Sequence, residues 1–304
     1  MIDLIGDIHG HADKLKTLLT MLGYTLKNGS YYHPERKVLF VGDYIDRGPQ
    51  IRETLQIVRS MVESDSAIAL MGNHEYNAIC YHYQDADGRY LRAHSGKNNH
   101  QHSETLKEFK DGLEEYEDYL KWFITLPLFY ETDKLRAVHA CWDKNQIEFL
   151  RNTLVNDRLT DELIVQSVKK DTLLYQAIED TLKGKEINMP DGAFSFKDKD
   201  GSERCEIRIR WWEDPAISTY KNYSVHRDEN LPDIPLDMTL IPNADYYIPD
   251  SKPVFFGHYW LNGNPFIYKK NVCCLDYSVA QNGYLAAYRF DDETELNESK
   301  LVYV

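Results

Sequence analysis

Lys37-Val38-Leu39-Phe40-Val41-Gly42-Asp43-Tyr44-Ile45-Asp46-Arg47-Gly48 joins an apolar run to a glycine and then to a run of polar residues. Five apolar residues in a row have the length of a buried strand. The glycine at their end lets the backbone turn sharply out of the sheet. The same join occurs twice more: Asp3-Leu4-Ile5 runs into Gly6-Asp7-Ile8-His9-Gly10, and Ala67-Ile68-Ala69-Leu70-Met71 runs into Gly72-Asn73-His74-Glu75. Between the strands, Ala12 to Leu22 and Ile51 to Val62 carry apolar residues at helical spacing: Leu15, Leu18, Leu19 and Leu22 in one, Ile51, Leu55, Val58 and Val62 in the other. Strand alternating with helix predicts an α/β fold with parallel strands. The carboxyl ends of such strands gather on one edge of the sheet, where open α/β folds assemble their sites.

Further along, Ser103 to Ile124 spaces Leu106, Phe109, Leu113, Tyr116, Leu120 and Phe123 three and four apart. The spacing predicts one amphipathic helix stopped by Pro127, with Thr105 and Glu108 as a capping box at its start. The polar stretch from Tyr81 to Gln101, with His82, His94, His100 and His102 in or beside it, reads as a solvated or lid loop. It does not read as a further metal site, because no two of these histidines stand at i, i+4 on a predicted helix. Strands follow at Leu128 to Thr132 and Leu135 to Val138, and Lys144 to Lys185 reads as helical. Asp191 to Glu203 reads as a loop and second lid candidate, and residues 231 to 253, with five of the eleven prolines, as a long ordered connection. Short strands at Val254 to Phe256, Val272 to Leu275, Leu285 to Phe290 and Leu301 to Val304 end the chain.

Composition narrows the function. With 304 residues, 42% of them hydrophobic, the chain can bury a substantial core. A formal charge of −14 opposes a broad basic face for a phosphate backbone, so nucleic acid is an unlikely partner. No apolar run approaches the roughly 20 residues that cross a bilayer. The N-terminal residues lack a basic region and carry two early aspartates, which predicts a cytoplasmic protein. Five cysteines without C-x-x-C spacing indicate buried reduced thiols rather than a disulfide framework or zinc knuckle.

Two later pieces join the three strand-end clusters: Val138-His139-Ala140 and Gly257-His258. Five strand ends therefore each deliver a histidine, aspartate or asparagine to one edge. Oxygen and imidazole donors in this mixture suit two divalent cations bridged by a carboxylate. Mn²⁺, Fe²⁺ and Zn²⁺ suit these donors, and Mg²⁺ is disfavoured by so many imidazoles.

The order G-D-x-H-G, G-D-x-x-D-R-G, G-N-H-E, V-H, G-H resembles the calcineurin-like metallophosphoesterases, and D-R-G with G-N-H-E resembles their phosphoprotein-phosphatase (serine/threonine phosphatase-like) branch, of bacterial type. The resemblance covers roughly residues 1 to 140 and 250 to 304. It implies an α/β/β/α sandwich with two central mixed sheets and helices outside, formed by residues 1–304 as one domain, with a variable substrate-cleft insertion at about 144–250. It implies that Asp7 and His9 bind the first metal, that Asp43 bridges, and that Asn73, His139 and His258 bind the second. A hydroxide between the ions would attack phosphorus directly. His74, oriented by Asp46, would protonate the leaving oxygen, and Arg47 and Asn73 would hold the phosphate. A second phosphate-binding arginine is expected from Arg208 or Arg210, which would share a face of a strand.

Each assignment has a plainer reading. The metal-site residues could be turn and cap residues, His74 a helix cap, Asp46 and Arg47 a surface ion pair, and Arg208 and Arg210 surface strand arginines. Glu75 reads as structural, contacting neighbouring loops. Residues 144 to 250 depart from eukaryotic protein phosphatases and leave the substrate open. Gly48-Pro49 after D-R is more like bacterial members, and Glu75, where symmetrical tetraphosphate hydrolases usually carry aspartate, favours a phosphomonoesterase. The expected activity is hydrolysis of a phosphoprotein or small phosphate ester. The alternative is a dinucleoside polyphosphate hydrolase of the diadenosine tetraphosphate type, and a third reading is a binding module that has lost its ligands, which the presence of all six disfavours.

Overall fold

A computed structural model describes residues 1–190, 196–197, 203–226, 228–241, 246–249 and 251–304. The predicted strands Ile2–Ile5, Lys37–Phe40 and Ala67–Ala69 lie side by side and parallel, with Leu4 opposite Leu39 and Val38 opposite Ala67. Tyr284–Phe290 pairs antiparallel with Ile2–Ile5 on the other edge and is flanked by Asp276–Tyr277 and Leu301–Tyr303. A second mixed sheet orders Val272–Cys274, Val254–Phe256 and Arg136–Val138 in parallel, with Phe129–Glu131 antiparallel beside Arg136–Val138.

Alternation along the strands makes the layers. Leu4, Leu39 and Val41 of the first sheet pack with Ala137, Phe255 and Cys273 of the second, so one face of each sheet meets the other. The alternate residues, Ile5, Val38 and Phe40 in one sheet and Val138, Val254 and Phe256 in the other, belong to the larger core that takes in Leu15, Leu19, Leu55 and Val58 of the Ala12–Met21 and Ile51–Glu63 helices and Leu150 and Ile178 of Lys144–Thr153 and Leu173–Lys183. The result is the expected α/β/β/α sandwich. Ile187, Ile207, Ile209, Tyr220, Tyr223 and Leu231 form a small separate core. No described helix is long and apolar enough to cross a membrane.

Two local expectations need correction. Ser103 to Ile124 is not one helix: Gly96–Glu108 and Leu113–Ile124 are separated by a turn ending at Gly112. The expected Thr105–Glu108 capping box does not form because both side chains find better partners across the fold. Glu108 accepts the backbone N–H groups of Ile51 and Arg52 at 2.8 Å each, capping the start of Ile51–Glu63, and the Thr105 hydroxyl donates to Asp46 Oδ1 at 2.5 Å. The histidine-bearing stretch is likewise not all loop. Asn73–His82 and Gly96–Glu108 enter it from both ends, the latter capped by Ser95, and His102 is buried. The expected loop from Asp191 to Glu203 lies largely outside the described residues.

Candidate metal centre

Loops leaving the parallel strands converge where the two sheets meet. The N–H groups of Ile8 and His9 donate to the Asp43 carbonyl, that of Gly257 donates to the His139 carbonyl, and His139 Nδ1 donates to the Val41 carbonyl at 2.9 Å, tying second sheet to first. Close approach depends on glycine. A Cβ on Gly257 would stand 1.8 Å from Asp7 Oδ1, and one on Gly72 would stand 2.3 Å from both the Asp43 nitrogen and its Oδ1. Positive φ angles at His9 (47°), Asp43 (55°), Asp46 (66°), Arg47 (67°), His258 (72°) and Trp260 (52°) hold six non-glycine residues in the left-handed region. Each costs about 1–2 kcal/mol, which the rest of the fold supports at this site.

Glu75 binds these loops together. Fully buried, it accepts the N–H groups of Gly72 (3.0 Å), Asp43 (2.9 Å), Tyr44 (2.8 Å) and Ile45 (3.4 Å), and is structural as expected. Burial and the neighbouring Asp43 carboxylate push its carboxyl up to about 7.

Asp43 stands at the middle of two donor groups. One ligand atom from each of His9, Asp43 and His74 lies within 4.8 Å of the others, and the same holds for Asp43, His139 and His258. His9 donates Nδ1–H to the Ile45 carbonyl at 3.0 Å, which fixes the tautomer and turns the Nε2 lone pair toward Asp43 Oδ2 at 3.6 Å. Burial and the neighbouring His74 push His9 down to about 3, so it is neutral. His139, with Nδ1 spent on Val41, presents Nε2 to two oxygens, Asn73 Oδ1 at 3.0 Å and Asp43 Oδ1 at 3.4 Å. His258 Nδ1 faces the same Asn73 oxygen at 2.6 Å. Asp7 accepts the His258 N–H on Oδ2, and burial with the Asp276 and Asp43 charges raises its pKa well above the ordinary range.

These donors fit divalent cations. Asp7 Oδ1, His9 Nε2 and His258 Nε2 are buried without a hydrogen-bond partner among the described residues. Imidazole nitrogens facing amide and carboxylate oxygens require a proton or a metal cation between them, and buried lone pairs left bare are costly. The set is oxygen and imidazole with no sulfur, as in a site for Mn²⁺, Fe²⁺ or Zn²⁺.

His74 lies beside this centre. Its Nδ1 meets Asp46 Oδ2 at 2.5 Å, its Nε2 lies 3.9 Å from Asp43 Oδ2, and its backbone N–H donates to Asp43 Oδ1. Burial alone would depress this imidazole, but the Asp43 and Asp46 carboxylates outweigh it and raise its pKa. Asp46 is no surface residue: it is 3% exposed and bonded to His74, His102 and Thr105 rather than to Arg47. Against the cost of burial, His102 and His74 hold it well below the ordinary carboxylate range. Arg47 is exposed, its guanidinium 5.5 Å from the ring centre of Trp260, and Trp260 in turn lies 5.3 Å from the His9 ring. Arg208 bonds Glu186 at 3.0 Å and lies near enough to His258 that, after burial, it is the strongest influence lowering that imidazole. The Arg210 guanidinium lies over the Tyr268 ring, 5.9 Å from its centre.

Three residues at the site were not anticipated. His102, expected in a solvated loop, is 5% exposed and donates Nδ1–H to Asp46 Oδ1 at 2.8 Å while its Nε2 accepts from the Tyr116 hydroxyl at 3.0 Å. Asp276 accepts the Trp260 N–H at 2.7 Å and the Ser278 N–H at 3.0 Å, fixing the loop after His258. Trp260 itself covers His9. A histidine three residues before Thr105 on one helix face was the only available signal for His102, and nothing local marks Asp276.

A profile of the calcineurin-like phosphoesterases matches residues 1–258, and the chain belongs to that family. It is similar to the asymmetrical bis(5'-nucleosyl)-tetraphosphatase PrpE of Halalkalibacterium halodurans, 48% identical over 73 residues, which is 24% of this chain and 30% of that protein. Its likeness to the protein of the same name from Bacillus subtilis is 34% over 146 residues, 45% of this chain and 56% of that one. The chain thus spans 30% to 56% of the length of these curated relatives. In fold it resembles a protein serine/threonine phosphatase from Saccharomyces cerevisiae, with a TM-score of 0.51, 12% identity, and coverage of 100% of this chain and 78% of that chain.

Proposed function

We propose that this protein is a phosphoesterase that takes two divalent cations, Mn²⁺ foremost, and hydrolyses phosphate monoesters on a phosphoprotein or a small molecule. The observation that carries the reading is that His9 on one side and His139 and His258 on the other turn ring nitrogens toward Asp43, while His74, also within reach of Asp43, is bonded through Nδ1 to Asp46. Asp7 and His9 would hold one cation, Asn73, His139 and His258 the other, and Asp43 both. When bound, the two cations supply positive charge to the phosphoryl oxygens and make a water molecule acidic enough to act as nucleophile. Arg47, exposed at the rim, binds the phosphate oxygens in paired hydrogen bonds, joined by the Asn73 amide. Arg208 and Arg210 are the two candidates for a second phosphate ligand. His74, whose protonated form Asp46 favours, donates its proton to the leaving oxygen, and Asp46 holds the imidazole in place. Five free thiols accord with a reducing, cytoplasmic setting.

A second reading, hydrolysis of dinucleoside polyphosphates, is favoured by the names of the relatives above. One experiment separates the two: incubate the Mn²⁺-loaded protein and its His74→Asn variant with a phosphopeptide and with diadenosine tetraphosphate, and identify the products by chromatography. Phosphate released from the peptide supports the first reading, and nucleotide products alone support the second. No product from either, with wild type and variant alike, rejects both.

A further inference from the structure

We propose that Trp260 determines substrate specificity: its partly exposed indole, set between His9 and Arg47 at the rim of the donor centre, stacks on a planar aromatic ring carried by the phosphate substrate. The inference rests on the reading of this centre as a phosphoesterase site.

Burial singles this side chain out. Of the five tryptophans, Trp122, Trp142, Trp211 and Trp212 are buried, and Trp260 is partly exposed. Its neighbours in the chain, Tyr259 and Leu261, are buried, so the loop turns one ring outward between two apolar side chains that face in. An indole left partly in water is a large apolar surface whose covering by a ligand is favourable.

The loop is built to hold the ring there. Trp260 has a φ of 52°, in the left-handed region that a bulky side chain seldom adopts. Asp276, itself buried, clamps the backbone on both sides of it: the carboxylate accepts the Trp260 N–H at 2.7 Å and the carbonyl accepts the Leu261 N–H at 3.1 Å. Ser278 closes the clamp, donating its hydroxyl to the Leu261 carbonyl and its N–H to the Asp276 carboxylate, both at 3.0 Å. Backbone strain that the surrounding structure over-determines in this way clusters at ligand-binding positions.

The neighbours of the ring are those of a bound phosphate. The indole centre lies 5.3 Å from the His9 ring and 5.5 Å from the Arg47 guanidinium, and the His9 ring lies 4.8 Å from that of His74. His9 is thus the common neighbour of the proton donor and the indole. Arg47 stands in the same way between the indole and the phosphate oxygens it would grip. A phosphate monoester carries a single organic group, on the oxygen that His74 would protonate, and that group leaves the centre past a rim to which Trp260 contributes. A flat indole on a clamped loop gains most from a flat partner, at little cost in conformational freedom. The phenol ring of phosphotyrosine and the base of a nucleotide share this chemistry.

The test is titration calorimetry of Mn²⁺-loaded wild type and Trp260→Leu with two phosphonates that resist hydrolysis, benzylphosphonate and its saturated counterpart cyclohexylmethylphosphonate. Wild type should bind benzylphosphonate the more tightly, although the saturated ring is the more apolar. In Trp260→Leu the ratio of the two Kd values should shift at least about threefold against the aromatic ligand, and a smaller shift overturns the proposal. Trp260→Phe, which keeps a ring, should retain the wild-type preference. Should Trp260→Leu fail to fold, wild type decides alone: equal binding, or tighter binding of the saturated ligand, overturns the proposal. The source of the ring is read from the Kd of phosphotyrosine against phosphoserine and of AMP against ribose 5-phosphate. A preference lost from the first pair in Trp260→Leu identifies a phenol and one lost from the second a purine, and loss from neither counts against the proposal. A wild-type protein that binds neither phosphonate refutes the phosphoesterase reading itself, whereas binding without preference refutes only the role of Trp260.

Discussion

His74 and His102 grip one carboxylate from opposite sides: Asp46 gives Oδ2 to His74 Nδ1 at 2.5 Å and Oδ1 to His102 Nδ1 at 2.8 Å. The Thr105 hydroxyl adds a third donor, and the Tyr116 hydroxyl, which burial keeps protonated, donates to the far nitrogen of His102. An aspartate held this way cannot rotate, so the imidazole it orients cannot either. The His74–Asp46 pair thus depends on a helix remote in sequence from both members.

Removing that outer support should slow the chemical step while leaving the cations in place. His102→Ala is expected to lower kcat for an alkyl phosphate about tenfold. His102→Asn, whose amide nitrogen can stand where Nδ1 stood, should recover most of it. Metal content measured by plasma emission should match wild type in both, and a parallel loss of metal would show that His102 only holds up the fold.

The role of His74 predicts a dependence on the leaving group. His74→Asn should cost about 10²–10⁴-fold in kcat for an alkyl phosphate, the usual range for general acid catalysis, and much less for p-nitrophenyl phosphate, whose leaving oxygen needs no proton. Equal losses on both substrates would remove His74 from proton transfer.

The direction of a pH effect follows from the carboxylates around that imidazole. In the loaded enzyme the Asp43 charge is taken up by the cations it would hold, so the carboxylate that favours the protonated form of His74 is Asp46, and the alkaline limb of kcat should report that imidazole. Asp46→Asn removes that charge, lowers the His74 pKa, and should move the limb to lower pH. A limb that stays in place would exclude His74 as the titrating group.

Gly257 tests the packing of the centre. With 1.8 Å between its hypothetical Cβ and Asp7 Oδ1, Gly257→Ala must displace the Asp7 carboxylate. The variant should bind fewer cations than wild type when titrated with Mn²⁺ and lose its metal-dependent rise in melting temperature. Full metal content in Gly257→Ala would mean that Asp7 is not a ligand.

The parts of this molecule that were legible in its sequence are those in which local order carries the information. Apolar runs ending in Gly6, Gly42 and Gly72 gave away parallel strands, and the polar residues after them had to lie on one edge. His139 and His258 were legible because each follows a strand of the same kind. What escaped was set by distance. Thr105 and Glu108 have the spacing of a capping box, yet Asp46 and the Ile51–Glu63 helix end, more than forty residues away, provide stronger partners. The Gly96–Glu108 helix buries His102 and Thr105, so its inward stripe is polar and the apolar period that would reveal it is missing. Asp276 reaches the site only because Trp260 is brought against it by the register of Val254–Phe256 beside Val272–Cys274.

The most direct test of the two-cation account is an equilibrium count of bound Mn²⁺ on the wild-type protein and on Asp43→Ala. Because Asp43 belongs to both donor triads, the account predicts two ions per wild-type chain and loss of at least one in the variant, with a matching loss of phosphate-ester hydrolysis. A wild-type chain that binds fewer than two ions, or an Asp43→Ala chain that still binds two, would contradict it.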